Sequence, residues 1–269
     1  VYCDHYYVST NRGSPAESCY IGAFAKGEAT RAILKEWPDG GYAEKMVLPA
    51  ECFTPLGPAG SVDPAILVRL GWFGTCHGAY LRAGLRPGQR VVVNAATGLV
   101  GTCGVLLALA MGAARVVAVG RRKEVLEELA RIDPLRVATV TAEAETEAIA
   151  AAAGGGADLV LDCVGDISDP ASTTNALRAL APFGTAVLVG GLNADLPLNA
   201  KWVLDQQVRI MGSSWFPRHL MGELAAMIGN GALAVDRLSA RTFPLDRVNE
   251  AVALAAKGLG GLTHVALVP

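Results

Sequence analysis

The segment 90–122 constrains the fold more than any other part of the chain. It begins with a β-branched apolar run at 90–95 and passes through a turn at 96–101 into an apolar stretch with small residues at 105–111. A second apolar run follows at 114–119. Two buried runs joined by a helical segment are typical of neighbouring parallel strands. The segment therefore predicts a βαβ unit.

The turn of this unit is rich in glycine. Residues 96–101 read Ala-Thr-Gly-Leu-Val-Gly, so alanine replaces the first glycine of the usual G-x-G-x-x-G pattern. Gly98 would let the backbone approach a phosphate, and Gly101 would let the helix pack tightly on the strand. The N–H groups at the start of the helix would face the anion. We expect a site for the pyrophosphate of a dinucleotide here; a purely structural turn is the alternative. The predicted cofactor-binding residues of the turn are Thr97, Gly98, Leu99, Val100 and Gly101.

The second strand of the unit ends in a basic sequence, Gly120-Arg121-Arg122-Lys123. A site for NAD usually has Asp or Glu here, which binds the 2′-hydroxyl of the ribose. Cations at the start of a helix oppose its macrodipole, so an anion should compensate them. Arginine binds phosphate oxygens in pairs. Gly120, Arg121 and Arg122 therefore predict a preference for the 2′-phosphate of NADP(H). The alternative is a solvated basic cap, with Lys123 and Glu127 as an ordinary helical pair.

Composition places the chain among globular proteins. Its 269 residues are 52% hydrophobic and 18% charged, enough for a large core and two domains. The net charge of −2 does not indicate a nucleic acid or a membrane surface as partner. The apolar run 104–120 contains Arg115, which argues against a membrane span. The six cysteines form no Cys-x-x-Cys pair, which fits a reducing cytoplasm and not a structural zinc site.

Strands and helices continue to alternate after the first unit. Further strands are expected at 136–141, 157–165, 184–191 and 208–214, and helices at 142–153, 171–180 and 217–228. This alternation predicts an α/β fold with a doubly wound parallel sheet and a binding crevice at the carboxyl ends of the strands. The flanking regions differ, with short strands such as 42–49 and one helix at 245–257.

Four segments together resemble the medium-chain dehydrogenases/reductases. They are Gly-Gly-Tyr-Ala-Glu at 40–44, Gly-Thr-Cys-His-Gly-Ala at 74–79, the turn at 96–101 and the segment 241–258 with its Phe-Pro-Leu and Asn-Glu-Ala sequences. This superfamily includes zinc alcohol dehydrogenases and zinc-free quinone oxidoreductases. The resemblance implies a Rossmann domain at 62–231, between two pieces (1–61 and 232–269) of a GroES-like, mainly β catalytic domain. It also implies that the first part of that domain lies upstream of Val1.

The resemblance implies further contacts with the cofactor. Thr75 would lie near the nicotinamide, Val164 and Gly165 on the adenosine side, Gly190, Gly191 and Leu192 at the carboxamide end, and Ser213 and Ser214 near the nicotinamide on a dimer-forming edge strand. His264 stands where some members have an arginine that binds phosphate. An isolated histidine with a structural role is the alternative for that position.

Two positions depart from the zinc enzymes of the superfamily. Those enzymes have a cysteine ligand four residues before the threonine of the 74–79 segment, and this chain has Gly71 there. Their structural-zinc lobe needs four closely spaced cysteines, and the corresponding region has only Cys3 and Cys19. We therefore expect no zinc in this protein.

A zinc-free enzyme needs a polar side chain to polarise the substrate carbonyl. The sequence Asp-His-Tyr-Tyr at 4–7 is the polar cluster of the N-terminal piece, and its candidate catalytic residues are His5, Tyr6 and Tyr7. An ordinary strand is the alternative, because tyrosine is a good strand former.

These observations predict an NADP(H)-dependent oxidoreductase. It would transfer hydride to or from a carbonyl, enone or quinone without zinc. We expect a cytoplasmic homodimer or homotetramer that acts on a small molecule and has neither a nucleic acid nor a membrane as partner. The alternatives are a zinc alcohol dehydrogenase whose ligands lie upstream of Val1 and an NADPH-binding sensor without catalysis.

Overall fold

A computed structural model describes residues 18–20, 24–26, 28–165 and 167–269. The candidate catalytic residues His5, Tyr6 and Tyr7 lie outside these ranges. No helix of the described ranges is long and apolar enough to cross a membrane.

The described residues form ten strands and ten α-helices. The strands are β1 (Ser18–Tyr20), β2 (Phe24–Lys26), β3 (Arg90–Asn94), β4 (Arg115–Gly120), β5 (Val137–Thr141), β6 (Ala157–Asp162), β7 (Leu180–Leu188), β8 (Arg209–Gly212), β9 (Ser239–Pro244) and β10 (Thr263–Val268). The helices are α1 (Glu28–Glu36), α2 (Pro64–Leu67), α3 (Leu70–Ala83), α4 (Leu99–Ala110), α5 (Lys123–Ile132), α6 (Thr146–Ala152), α7 (Ala171–Arg178), α8 (Ala200–Gln206), α9 (Leu220–Gly229) and α10 (Val248–Ala256).

Six parallel strands form the central sheet, in the order β5-β4-β3-β6-β7-β8. The order reverses between β3 and β6, because the chain builds outward from β3 first on one side and then on the other. In register, Asn94 of β3 is the partner of Asp162 of β6. A crevice opens at the carboxyl ends of two strands where the order reverses, and ligands bind in such crevices. The predicted doubly wound α/β fold is confirmed.

Apolar side chains cover both faces of this sheet. Val91 and Val93 of β3 belong to one buried cluster together with Phe73 of α3 and Leu107 of α4. Val92, whose side chain points to the opposite face, belongs to a second cluster. Burial on both faces explains why the strands read as continuous apolar runs and not as an alternation.

The predicted elements of the sheet exist, but some boundaries differ. The predicted helix at 142–153 begins only at Thr146, because Ala142 extends the parallel ladder by donating its N–H to Gly120 O at 3.0 Å. The predicted strand at 157–165 ends at Asp162, and the strand predicted at 184–191 already begins at Leu180. The helix predicted at 245–257 begins with a 3₁₀ turn and becomes α-helical at Val248.

The flanking segments form two small sheets, an antiparallel β1-β2 pair and a parallel β9-β10 pair. The predicted strand at 42–49 is wrong, since residues 41–44 are bends and 45–49 have no regular structure. A strand needs a neighbour for its hydrogen bonds, and within the described ranges no strand pairs with this segment. Tyr42 is accordingly 73% exposed.

Candidate cofactor site

Residues 96–101, which we call the nucleotide turn, connect β3 to α4 at the crevice. The chain leaves β3 through Ala95, whose φ of 55° lies in the left-handed region that few residues other than glycine adopt. Asn94 stabilises this conformation, because its Oδ1 accepts a hydrogen bond from the Ala95 N–H at 3.0 Å. A local side-chain bond of this kind favours a turn over a continued strand.

Gly101 packs the start of α4 directly on the chain that leaves β3. A Cβ atom at this position would lie 2.3 Å from Ala95 O and 2.6 Å from Ala96 Cα, which is too close for any side chain. At Gly98 the nearest atom, Ala95 O, would lie 3.3 Å away, so that position is tight but less restricted. Helix α4 therefore begins against the strand end, with its axis directed at the crevice.

The first turn of α4 offers free N–H groups to an anion. The first amides of any α-helix have no acceptor within the helix. Gly98, the N-cap residue, has no side chain that could accept from them. The positive end of the helix dipole adds to this arrangement. Leu99, Val100 and Gly101 thus present the donors that a pyrophosphate group requires.

A buried polar cluster joins the two strands at the crevice. Asp162 accepts hydrogen bonds from Asn94 Nδ2 at 2.7 Å and from Thr173 Oγ1 at 3.2 Å. Ser172 donates to Asn94 Oδ1 at 3.0 Å, so α7 is bonded to both strand ends. Burial raises the pKa of the Asp162 carboxyl, and the hydrogen bonds from Asn94 and Thr173 partly oppose that effect.

This cluster was not predicted from the sequence, although the sequence contains a signal for it. Each apolar strand ends in one polar residue, Asn94 in β3 and Asp162 in β6. Parallel strands bring their carboxyl ends to one edge of a sheet, so the two could have been expected to meet.

The end of β6 also positions the chain that follows β7. Val189 and Gly190 donate their N–H groups to Asp162 O at 2.9 and 3.1 Å. Gly190 thereby contacts Val164 so closely that a Cβ atom would lie 1.8 Å from Val164 O. Two of the predicted cofactor residues are thus adjacent. Their neighbours Gly165 and Gly191 are exposed, and Leu192 is half-buried.

Thr75 and Ser213 are buried but differ in their hydrogen bonds. Thr75 Oγ1 donates to Gly71 O within α3 at 3.1 Å. Ser213, which follows β8, donates its N–H to Leu188 O at 3.0 Å, while its hydroxyl has no hydrogen-bond partner among the described residues. A buried hydroxyl without a partner is costly. A ligand in the crevice could relieve that cost, so the site fits a dinucleotide. Ser214, the next residue in the chain, also interacts with another group of the protein.

The chain is similar to known proteins. Residues 100–230 match the family of zinc-binding dehydrogenases. A protein of Mycobacterium tuberculosis named a probable zinc-binding alcohol dehydrogenase is 31% identical over 218 residues, which cover 80% of this chain and 55% of the relative. The chain belongs to the medium-chain dehydrogenase/reductase superfamily.

Further members differ in the cofactor that their names give. An NAD-dependent alcohol dehydrogenase of Sulfurisphaera tokodaii is 29% identical over 221 residues, 80% of this chain and 60% of the relative. A protein of Sinorhizobium meliloti named a putative zinc-binding dehydrogenase, solved with NADP, has a TM-score of 0.70 and 26% identity, covering 86% of this chain and 66% of that one. The chain spans 55% and 60% of the length of the two sequence relatives.

The predicted basic residues lie directly after β4, where members of the superfamily discriminate between NAD and NADP. The two arginines differ in their exposure and in their hydrogen bonds. Gly120 abuts Thr97, since a Cβ atom there would lie 2.4 Å from Thr97 Cγ2. Arg121 is exposed and makes no hydrogen bond or ion pair with the described residues. Arg122 is half-buried, and its guanidinium donates to the carbonyl oxygens of Gly258 at 2.6 Å, of Leu259 and of Thr97. The sequence predicted that both arginines bind the 2′-phosphate, but in the structure the guanidinium of Arg122 already donates to main-chain carbonyls.

His264 does not stand in for the superfamily's phosphate-binding arginine. Its buried ring accepts from Arg69 Nε at Nδ1 (3.1 Å) and donates from Nε2 to Ala65 O (2.7 Å). Burial lowers the pKa of His264, which agrees with this neutral tautomer. Arg69, for which no role was predicted, is also buried and donates to Leu99 O at 3.1 Å. His264 therefore has a structural role.

The described residues do not fit a catalytic zinc ion. Gly71 provides no ligand at the position where the superfamily's zinc enzymes have cysteine, and Cys76 Sγ contacts Val100 O at 3.3 Å. Burial raises the pKa of the Cys76 thiol, which disfavours the thiolate form that binds metals. Among the residues described, no three His, Cys, Asp or Glu side chains are grouped as metal ligands.

Proposed function

We propose that this chain carries the cofactor domain of an NADP(H)-dependent oxidoreductase that acts on a carbonyl, enone or quinone without zinc. One observation carries the proposal: the nucleotide turn presents free helix N–H groups at the crevice, and the adjacent strand end has Gly120 and exposed Arg121 where NAD enzymes have an acid. We assign residues 62–231 to the cofactor domain, and 1–61 and 232–269 to pieces of a GroES-like catalytic domain.

Different residues around the crevice bind different parts of the cofactor. The amides of Leu99, Val100 and Gly101 bind the pyrophosphate, and Arg121 binds the 2′-phosphate. Ser213 offers its unpartnered hydroxyl to the nicotinamide end, near Thr75. The bound nicotinamide supplies or accepts the hydride. The remaining lining consists of Thr97, Gly98, Val164, Gly165, Gly190, Gly191, Leu192 and Ser214.

The chemistry at the substrate requires a group that polarises its oxygen. With Gly71 in place of the cysteine ligand, we propose that a hydroxyl or imidazole does this, and His5, Tyr6 and Tyr7 are the candidates. The substrate is a small molecule. We further propose a cytoplasmic enzyme with a homodimeric or homotetrameric assembly.

Cofactor binding tests the first part of the proposal. Fluorescence titration of the chain with NADPH and NADH should give a Kd for NADPH that is at least about tenfold lower than the Kd for NADH. This factor is the gain in affinity expected from one arginine–phosphate pair. Arg121→Ala should remove that difference without weakening NADH. Equal affinities in the unmutated chain would reject the preference for NADP(H).

A zinc alcohol dehydrogenase is the second candidate, because the matched family and a relative are named for zinc. Turnover of NADPH with an enone, a quinone or an aldehyde should persist in a strong chelator if the zinc-free proposal is right. Loss of activity with chelator and its return with zinc would establish the zinc enzyme. Tight binding of NADPH without turnover of any of these substrates would favour a sensor.

A further inference from the structure

A glycine-rich loop from the C-terminal segment lies on the nucleotide turn. This glycine loop, Gly258-Leu259-Gly260-Gly261, connects α10 to β10. Three of its residues have left-handed φ values, 71° at Gly258, 50° at Gly260 and 64° at Gly261. Gly261 donates its N–H to Thr97 O at 3.0 Å, so the loop is bonded to the same turn that presents amides to the crevice.

Arg122 joins the two backbones. Its Nη1 donates to Gly258 O at 2.6 Å and to Leu259 O, and its Nη2 donates to Thr97 O. Both terminal nitrogens, which form the fork that would bind a phosphate in a bidentate manner, are thus occupied by main-chain carbonyls. Within the described ranges Arg122 has no carboxylate partner, and the three carbonyl dipoles face its charge.

The sequence of the glycine loop suits this contact. A Cβ atom at Gly260 would overlap the guanidinium of Arg122. At Gly261 it would lie 2.7 Å from Val125 Cγ1, on the first turn of α5. Glycine at both positions therefore lets the loop wrap closely around Arg122 and the start of α5.

Arg69 supports the same junction from the interior. It donates from Nη1 to Leu99 O at 3.1 Å and from Nη2 to Gly261 O. The nucleotide turn and the glycine loop are therefore connected by two guanidinium groups. Arg121, next to Arg122 in sequence, contributes nothing to this junction and is exposed.

We propose that Arg122 is a positioning residue, which clasps the glycine loop onto the nucleotide turn and so fixes the turn for either form of the cofactor, while Arg121 alone discriminates the 2′-phosphate. The role of Arg121 rests on the proposed preference for NADP(H). The clasp does not, because it is formed by atoms of the chain itself.

Hydrogen exchange of the cofactor-free chain tests the clasp directly. Arg122→Ala should accelerate exchange of the Gly261 amide by about tenfold or more, because that amide is bonded to Thr97 O. Arg121→Ala, the matched control at the adjacent residue, should leave this exchange unchanged. Arg122→Lys should restore part of the protection, since an ammonium can bond to carbonyls but has no planar fork.

Cofactor titration of the same variants separates positioning from phosphate recognition. Arg122→Ala should raise the Kd for NADPH and for NADH by the same factor, about tenfold. Arg121→Ala should raise only that for NADPH, by about tenfold to a hundredfold. A rise confined to NADPH in Arg122→Ala, with unchanged exchange at Gly261, would overturn the clasp and make Arg122 a phosphate ligand.

A second variant covers the case in which Arg122→Ala does not fold. Gly260→Ala keeps the arginine but places a methyl group where the guanidinium packs, and it should give the same fast exchange and the same equal loss of affinity. Protected Gly261 in a folded Gly260→Ala would also overturn the clasp. If the unmutated chain binds NADH and NADPH equally, the proposed function fails, and the exchange result still decides the clasp.

Discussion

The central sheet and the segments that flank it bury their apolar residues to different degrees. Val92 of β3 and Val117 of β4 are fully buried, and helices cover both faces. In the flanking segments, by contrast, Tyr42 is 73% and Phe53 57% exposed. The only cluster of buried apolar residues outside the two sheet clusters, among the residues described, consists of Ile33, Leu48 and a few partly buried neighbours.

The difference indicates which packing holds the site in place. The crevice is formed by strand ends that the sheet core holds in place. The C-terminal flank contributes Leu233, Val235 and Leu238 to the large apolar cluster. It reaches the crevice itself through polar contacts, from Arg122 to the glycine loop and from Arg69 to His264. We call residues 62–231 the sheet half and residues 1–61 and 232–269 the flanks. A substitution in the sheet half should therefore lower the free energy of unfolding more than the same substitution in a flank.

Gly101→Ala should have the largest effect. The added Cβ would lie 2.3 Å from Ala95 O, a backbone atom that cannot move aside without disrupting β3. We expect the free energy of unfolding to fall by more than about 4 kcal/mol, with loss of cofactor binding. Urea denaturation and NADPH titration measure the two effects.

Gly41→Ala is the matched control in the flank, because a Cβ there would meet no atom within 4 Å. Its stability should remain within about 0.5 kcal/mol of the unmutated chain. Equal losses at Gly41 and Gly101 would contradict the assignment of the tight approach to the nucleotide turn.

Removal of a core leucine compares the two halves with identical chemistry. Leu161→Ala in β6 empties a fully buried place in the large cluster, and we expect a loss of about 3–4 kcal/mol. Leu48→Ala affects the small cluster around Ile33, where neighbours can relax, and should cost about 2 kcal/mol. Denaturant unfolding of both variants checks the order, and a larger loss at Leu48 would contradict it.

The sequence predicted the sheet half far better than the flanks. Its strands are apolar on both faces, and this pattern is visible without any knowledge of neighbours. The predicted strand at 42–49 failed because a strand depends on a partner, which periodicity alone does not reveal.

Contacts between distant residues were equally invisible. Arg122 was predicted as a phosphate ligand from its position after β4. Its contacts with Gly258 and Leu259 could not be foreseen, because these residues lie more than a hundred positions further along the chain. The bond between Arg69 and His264 spans 195 positions. The glycines of the nucleotide turn, in contrast, were predictable, because their contacts with Ala95 and Ala96 are local.

The pH dependence of Asp162→Asn probes the polar junction inside the sheet half, with a smaller effect. Burial raises the pKa of Asp162 above its unfolded value. Between these two pKa values the folded chain binds more protons than the unfolded chain, so its free energy of unfolding falls as pH rises through that interval. The asparagine variant has no such proton.

The stability of the unmutated chain relative to Asp162→Asn should therefore be greatest at acid pH and decrease toward neutral pH. Urea unfolding of both proteins over an acidic-to-neutral series measures this difference, and groups common to both cancel. An increase with rising pH would mean that the bonds from Asn94 and Thr173 dominate over burial and lower the pKa.

Two further glycine substitutions should give small effects, of opposite sign in the two halves. Neither Gly222 nor Gly258 has an atom within 4 Å of an added Cβ, so backbone conformation decides the outcome. Gly222 lies in α9, and Gly222→Ala should stabilise the chain by about 0.5 kcal/mol through helix propensity. Gly258 has a φ of 71°, and Gly258→Ala should cost about 1 kcal/mol because alanine disfavours the left-handed region. Thermal unfolding checks both signs, and stabilisation by Gly258→Ala would show that the glycine loop does not hold this conformation.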